Sequence, residues 1–194
     1  MRNDRDKWNE RYREKELLHS TEPSRFLADR LSRIIALSPG RLALDIACGE
    51  GRNSLFLARH GFNVIGLDIS DVALVKARRR AAEEGLIIDF RLADLEDYEF
   101  EGYFDLIVNC NFLLRELFPK GVAALTPGGL FLVDTILDSP LDTVSCNKQY
   151  LLQPGELHRL FASFPGTIIC SEEIPEGPTP AARLLFQRYP LSPT

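Results

Sequence analysis

Only four cysteines, three histidines, one tryptophan and one methionine occur among the 194 residues. Cys48, Cys110, Cys146 and Cys170 include no C-x-x-C pair, and His19, His60 and His158 stand far apart in the sequence. A zinc site or a disulfide framework is therefore not expected, and the spacing suits reduced thiols in a cytosol. Long hydrophobic runs are also missing, and without a stretch of about 18 apolar residues no membrane span is expected. The opening MRNDRDKWNERYREKE has no apolar core and does not read as a signal peptide, which adds to the expectation of a cytoplasmic protein. Positive charge is in deficit as well: 23 Lys and Arg face 28 Asp and Glu, a net charge of −5. Domains that grip nucleic acid usually carry a basic face, so no nucleic-acid partner is expected. The one basic run, Lys76 with Arg78, Arg79 and Arg80, is followed by Glu83 and Glu84 and reads as a solvated helix face.

Hydrophobic residues make up 45% of the chain and charged residues 26%, enough apolar material for a sizeable core without staple or metal. Residues 3–18 read as a polar helix with Trp8 and Tyr12 on one face. SRFLADRLSRIIAL (24–37) has helical spacing with Ser24 as its cap. RLALDIA (41–47) is a first strand, ending at the turn CGEGRN. A helix over 53–60 with Asn53 as N-cap follows, then a strand at FNVIGLD (62–68) and a helix closing at Gly85. Further strands are expected at 87–94, 103–111 and 128–137, with a short helix within 112–125 and a loop over 138–153. PGELHRLFASF (154–164) reads as a helix begun by proline. TIICSEE and ARLLFQRY then supply two strands with no helix between them, expected to pair as an antiparallel hairpin at one edge. Strands that alternate with helices and are apolar nearly throughout predict an α/β fold, a mainly parallel sheet covered on both faces. The expected organisation is one domain, with 1–38 as helices covering a ligand site and 39–194 as a Rossmann-like core.

Chemistry concentrates at the first strand–turn–helix, LALDIACGEGRNS, together with GLDIS (66–70). Gly49 and Gly51 flank the turn, and bare backbone there lets a ligand lie against the chain. The following helix offers free N–H groups and the positive end of its dipole. Asp68, at the tip of the second strand, is placed to accept hydrogen bonds from two ribose hydroxyls. A dinucleotide loop needs a third glycine where Ser54 stands, and Asp45 would repel a pyrophosphate while welcoming a cation. A nicotinamide-dependent oxidoreductase is therefore disfavoured.

The sequence resembles the class I S-adenosylmethionine-dependent methyltransferases. The resemblance rests on D-I-A-C-G-E-G-R-N-S (45–54), G-L-D-I-S (66–70), L-A-D-L (92–95), F-D-L-I-V-N (104–109) and L-T-P-G-G-L-F-L-V (125–133), in order and at normal spacing. It implies a Rossmann-like three-layer sandwich. Its seven-stranded sheet would run in the order 3-2-1-4-5-7-6 with the last strand antiparallel. It also implies S-adenosyl-L-methionine as cofactor. On that resemblance Asp45 and the backbone of Ala47, Cys48, Gly49 and on to Gly51 would line the methionine side, and Asn53 is a further expected cofactor-binding residue. Asp68 would hold the ribose with Ile69 against the adenine. Asp94 would take the adenine amino group, with Leu95 packed on the ring. Asn109 and Cys110 would close the pocket below the sulfonium. KWNERYRE and PGELHRLF are similar to the small-molecule branch of tellurite-resistance and thiopurine type, in which an N-terminal helix folds over the cofactor. Trp8, Arg11 and Tyr12 are the matching positions.

No histidine is placed to activate Cys48 or Cys110, which read as small filler, and no side chain stands out as catalytic. The tip of the fourth strand reads N-C-N-F, not the (D/N)-P-P-(Y/F) of amino-group methylases. With the acidic balance this points to a small-molecule acceptor. Two other readings stay open: a non-catalytic S-adenosylmethionine-binding protein, and a methyltransferase acting on a protein or a carrier-bound acceptor.

Overall fold

A computed structural model describes residues 2–18, 20–139, 148–176 and 179–190; His19, Cys146 and half of the expected 138–153 loop lie outside the described residues. The described helices are α1 (Arg2–Glu14), α2 (Arg25–Leu37), α3 (Arg52–Arg59), α4 (Asp71–Glu83), α5 (Leu117–Ala123) and α6 (Glu156–Ala162). The strands are β1 (Leu42–Ile46), β2 (Asn63–Asp68), β3 (Asp89–Leu92), β4 (Phe104–Cys110), β5 (Leu125–Ile136), β6 (Gly166–Ile174) and β7 (Ala181–Arg188). They form one seven-stranded sheet in the order β3-β2-β1-β4-β5-β7-β6. β7 runs antiparallel to both its neighbours, β5 and β6, and the other pairings are parallel. This is the expected Rossmann-like architecture. None of the described helices is long and apolar enough to cross a membrane.

Strand periodicity assigns the two faces. Leu44, Ile46, Ile107 and Phe131 enter one core with α5 and α6, where Phe118, Phe131, Phe161, Phe164 and Phe186 meet edge to face or tilted. Ala43, Leu106, Val108, Leu130 and Leu132 enter the other, against Phe26, Leu27 and Ile34 of α2 and Leu57 of α3. A third cluster, Leu55, Leu74, Ala77, Ala81 and Phe90, seats α3 and α4 on β2 and β3.

Local chemistry explains most boundaries. Ser24 caps α2, its hydroxyl accepting from Leu27 N, and Ser70 caps α4 in the same way from Ala73 N. The first helix ends at Glu14, four residues short of the expected 18, the third strand is trimmed to Asp89–Leu92, and three other boundaries depart from expectation. α3 is entered through Gly51, whose left-handed backbone (φ 78) lets the helix begin at Arg52, so Asn53 is not its cap. α6 likewise starts after a left-handed Gly155, beyond Pro154. β5 begins at Leu125, because the ladder with β4 breaks and resumes around a left-handed Gly128 instead of starting there.

Candidate functional site

The carboxyl ends of β1, β2 and β4 converge where the strand order reverses, with β2 and β4 on either side of β1. Open α/β sheets bind ligands at such a crevice. Asp45 is paired in register with Gly66, and Asp68 lies two residues beyond Gly66 on the same strand, so both carboxylates project to one face of the sheet. Between them the chain turns through Ala47 (φ 53), Gly49 (φ 54) and Gly51 (φ 78), all left-handed. A non-glycine residue in that region stores strain of the kind found at ligand sites, and Asn111 (φ 56), one residue past β4, is a second case.

The turn is held by the acids beside it. Asp68 accepts from Gly49 N at 2.7 Å through one oxygen and from Ser70 N at 2.8 Å through the other. Burial raises its pKa above the usual carboxylate range, against the pull of those amides. Asp45, 1% exposed, accepts from Ser54 Oγ at 2.6 Å. Burial pushes its pKa up to about 7, with Ser54 and the Arg52 charge working the other way. Cys48 and Cys110 are buried thiols with pKa values raised by desolvation, as suits packing residues rather than nucleophiles.

The N-terminal helix lies over this turn. A Cβ on Gly49 would sit 2.7 Å from the Tyr12 hydroxyl, so the phenol occupies the space that the bare glycine leaves. Tyr12 is 4% exposed and its pKa is raised by burial and by the charges of Asp68 and Glu50. Trp8 packs one turn away, ring centroids 6.1 Å apart, with the Arg11 guanidinium 5.0 Å over its ring. Of the side chains described on α1, only Asn9 and Tyr12 are buried.

Polar contacts fasten α1 to α4. Asn9 donates to Asp71 at 2.7 Å and accepts from Ser70 Oγ at 2.6 Å. Lys76 Nζ donates to the carbonyls of Tyr12 (2.5 Å), Lys15 (2.6 Å) and Glu16 (3.0 Å), and to Glu50 Oε1 at 3.1 Å. Glu50, inside the glycine turn, also accepts from Leu18 N at 3.0 Å. The reading of this basic run as a solvated face is thus corrected. Arg78 and Arg80 donate to the carbonyls of Phe90 and Glu50, and only Arg79 keeps a well-exposed pair, with Glu83. The signal missed in the sequence was Glu50, the one acid inside the turn and in reach of that run.

Asp45, Ala47, Gly49, Gly51, Asp68 and Tyr12 come together, with Trp8 behind Tyr12. Other expected residues turn away. The Cys48 side chain packs among Leu55, Leu74 and Phe90, leaving only its backbone to the turn. Asn53 Oδ1 accepts from Ser24 N at 2.8 Å, tying α3 to the start of α2. Asn109 and Cys110 are consecutive on β4 and take opposite faces, so they do not close one pocket together: Cys110 packs with Phe26 and Leu27. Asn109 is 2% exposed, and its Oδ1 has no hydrogen-bond partner. Ile69 is half-buried beside Asp68. Leu95 is sunk in the α5/α6 core, and Asp94, half-buried past β3, accepts from Glu96 N at 3.2 Å. A group that the sequence did not reveal is Ser24 with Asp134 and Arg183: Ser24 Oγ donates to Asp134 at 2.5 Å, and Arg183 Nε donates to its other oxygen at 2.9 Å.

The sheet order, with β7 reversed and the glycine turn at the strand-order switch, defines a Rossmann-like sheet with its crevice at the tips of β1, β2 and β4. Residues 43–129 match a family model described as "Methyltransferase domain". The chain is 33% identical over 141 residues to the ubiquinone biosynthesis O-methyltransferase of Nitrosococcus oceani, covering 69% of this chain and 58% of that protein. It is 30% identical to the putative methyltransferase YqeM of Bacillus subtilis, over 66% of this chain and 55% of that protein. The chain therefore spans only 55–58% of the length of these curated relatives. Among solved structures, TehB from Haemophilus influenzae superposes with a TM-score of 0.70 at 21% identity, covering 83% of this chain and 62% of that one.

Proposed function

We propose that this chain is a methyltransferase that binds S-adenosyl-L-methionine in the turn between β1 and α3 and methylates a small-molecule acceptor. The observation that carries the reading is the pair of carboxylates, Asp45 and Asp68, on one sheet face with left-handed glycines between them. The donor set fits the cofactor: Asp68 for ribose hydroxyls, Asp45 for a cation, bare glycine backbone for close approach. Tyr12 covers Gly49, so α1 is the movable part and lifts to admit the cofactor. It buries few side chains and is held to α4 mainly by polar contacts, which water can replace as it opens.

When bound, S-adenosylmethionine supplies a methyl group already activated on a positive sulfur. The chain's own tasks are then to bind, orient and exclude water. Asp68 fixes the ribose and the turn together, since its carboxylate already grips Gly49 N. Tyr12 and Trp8, lowered again, shut water out. The small-molecule acceptor is supported by the acidic balance, the N-C-N-F sequence at the tip of β4, and a curated relative named for ubiquinone biosynthesis.

Titration calorimetry of the full chain with S-adenosylmethionine, S-adenosylhomocysteine and NAD tests the reading, followed by mass spectrometry of thiol, selenium and phenolic acceptors. The adenosyl-sulfur ligands should bind and NAD should not; the reverse order would overturn the assignment.

Affinity should also depend on pH. A carboxyl raised from 3.8 to about 7 favours the folded state while protonated, so its contribution to stability is lost as pH rises through that window. A bound cation favours the ionised form. Raising the pH from about 6 to about 8 should therefore tighten S-adenosylhomocysteine binding by about tenfold, and Asp45→Asn should flatten the profile. Calorimetry at the two pH values decides it; equal affinities would remove Asp45 from the cation's partners.

A further inference from the structure

Ser24 is the fixed point from which the chain leaves α2 toward α1. All its polar groups are engaged: its N–H donates to Asn53 Oδ1 at 2.8 Å, its carbonyl accepts from Ala28 N at 3.0 Å, and its hydroxyl donates to Asp134 at 2.5 Å. Capping α2 requires only that the hydroxyl accept from Leu27 N, as it does at 3.3 Å. The bond to Asp134 is additional, and Arg183 balances that half-buried carboxylate from β7, with Nε at 2.9 Å. Among the described residues, 20–23 make one hydrogen bond, and it is local, from Glu22 N to Ser20 Oγ at 3.0 Å. The next tie to another element is Leu18 N on Glu50. Six residue steps separate these two anchors, so the strap between them reaches at most about 20 Å.

Both anchors are tied to the cofactor turn. Glu50 lies within it, and Asn53 stands on the first turn of α3 beside Ser54, which holds Asp45. Asp134 projects to the same sheet face: it pairs in register with Cys110, two residues beyond Val108, the partner of Asp45. A helix lifted on a short strap with a fixed root stays near its seat, so its effective concentration there is high. Freeing the root frays the first turn of α2, lengthens the strap and lowers that concentration. Resting on the lid reading given above, we propose that Asp134, with Arg183 behind it, is a positioning residue. It acts through Ser24, fixing the pivot on which α1 swings, and so sets how fully Tyr12 and Trp8 cover the turn.

Trp8 is the single tryptophan of the chain and lies on α1, so acrylamide quenching of its fluorescence reads the seating of that helix with no ligand present. The full chain is compared with Asp134→Ala, Ser24→Ala and the double variant, well below their melting midpoints. Asp134→Ala should raise the quenching constant toward that of the urea-unfolded chain. It should also release S-adenosylhomocysteine about 10-fold faster in stopped-flow displacement, as the loss of one charge-assisted hydrogen bond allows. A merely structural contact would lower the melting temperature and leave Trp8 shielded. Ser24→Ala should reproduce both effects and the double variant should add little, because hydroxyl and carboxylate form one contact. Should Asp134→Ala fail to fold, Ser24→Ala, which leaves the Asp134–Arg183 pair in place, carries the test alone. Parent-like quenching in the folded variants would overturn the pivot and leave Ser24 a helix cap; fully additive effects in the double variant would overturn the route through Ser24. A parent chain that binds no S-adenosylhomocysteine would overturn the cofactor reading, while the quenching still decides the pivot.

Discussion

Replacing Lys76 with methionine will destabilise the chain by about 3 kcal/mol, read as a lower urea midpoint at unchanged slope. Lys76 faces Glu50, whose side chain is 3% exposed, while its own is 18% exposed. Removing the ammonium takes the cation from a buried carboxylate, and keeping that charge buried without it costs more than the lost attraction alone. Three carbonyls at the end of α1 and just after it lose their donor in the same step. The double variant Lys76→Met/Glu50→Gln should recover part of the loss, since the neutral amide still accepts from Leu18 N. With α1 unfastened, S-adenosylhomocysteine should also leave faster in stopped-flow displacement. A loss under about 0.5 kcal/mol would mean that Lys76 behaves as an exposed surface lysine after all.

Asp68→Ala should weaken S-adenosylhomocysteine by about 100-fold or more. Two hydrogen bonds from ribose hydroxyls to a charged acceptor vanish, each of about 1.5–3 kcal/mol. The effect runs beyond the ligand, because the same carboxylate receives Gly49 N and Ser70 N. Those amides become orphans within a turn already forced through left-handed backbone, and the free chain should lose about 1–3 kcal/mol as well. Asp68→Asn separates the two parts. The amide keeps one acceptor for the turn, sets its NH2 against the other backbone N–H and lacks the charge for the ribose, so it should restore part of the melting temperature and little of the affinity. Full affinity in Asp68→Ala would move the nucleoside away from β2.

The architecture was readable because strand and helix periodicities are strong and the glycines at 49, 51 and 85 punctuate them. Sheet order came from the resemblance; alternation alone does not place β7 between β5 and β6. Within the site, Asp45, Gly49, Gly51 and Asp68 were legible because their types have few other reasons to stand at strand tips. Cys48, Asn53 and Cys110 were assigned from motif position, and side-chain direction decided otherwise: a turn residue can offer its backbone to a ligand and its side chain to the core. The Lys76 clamp, the Asn9 contacts and the Ser24–Asp134–Arg183 group join residues 26 to 110 positions apart. No periodicity encodes such pairs, because they exist only once the sheet has brought the helices together. Left-handed backbone at Ala47 was equally hidden, alanine being unremarkable in any strand.

During synthesis on a ribosome, Tyr12 emerges 64 residues ahead of the lysine that fastens it. A lone thirteen-residue helix is too short to hold its shape in water. The α1 segment therefore stays unwound until α4 has been translated, because the side chains that fasten it lie on that later helix. Until α1 docks, the bare backbone at Gly49 lacks the phenol that covers it, so the interval between making the two helices sets how long the turn stays uncovered.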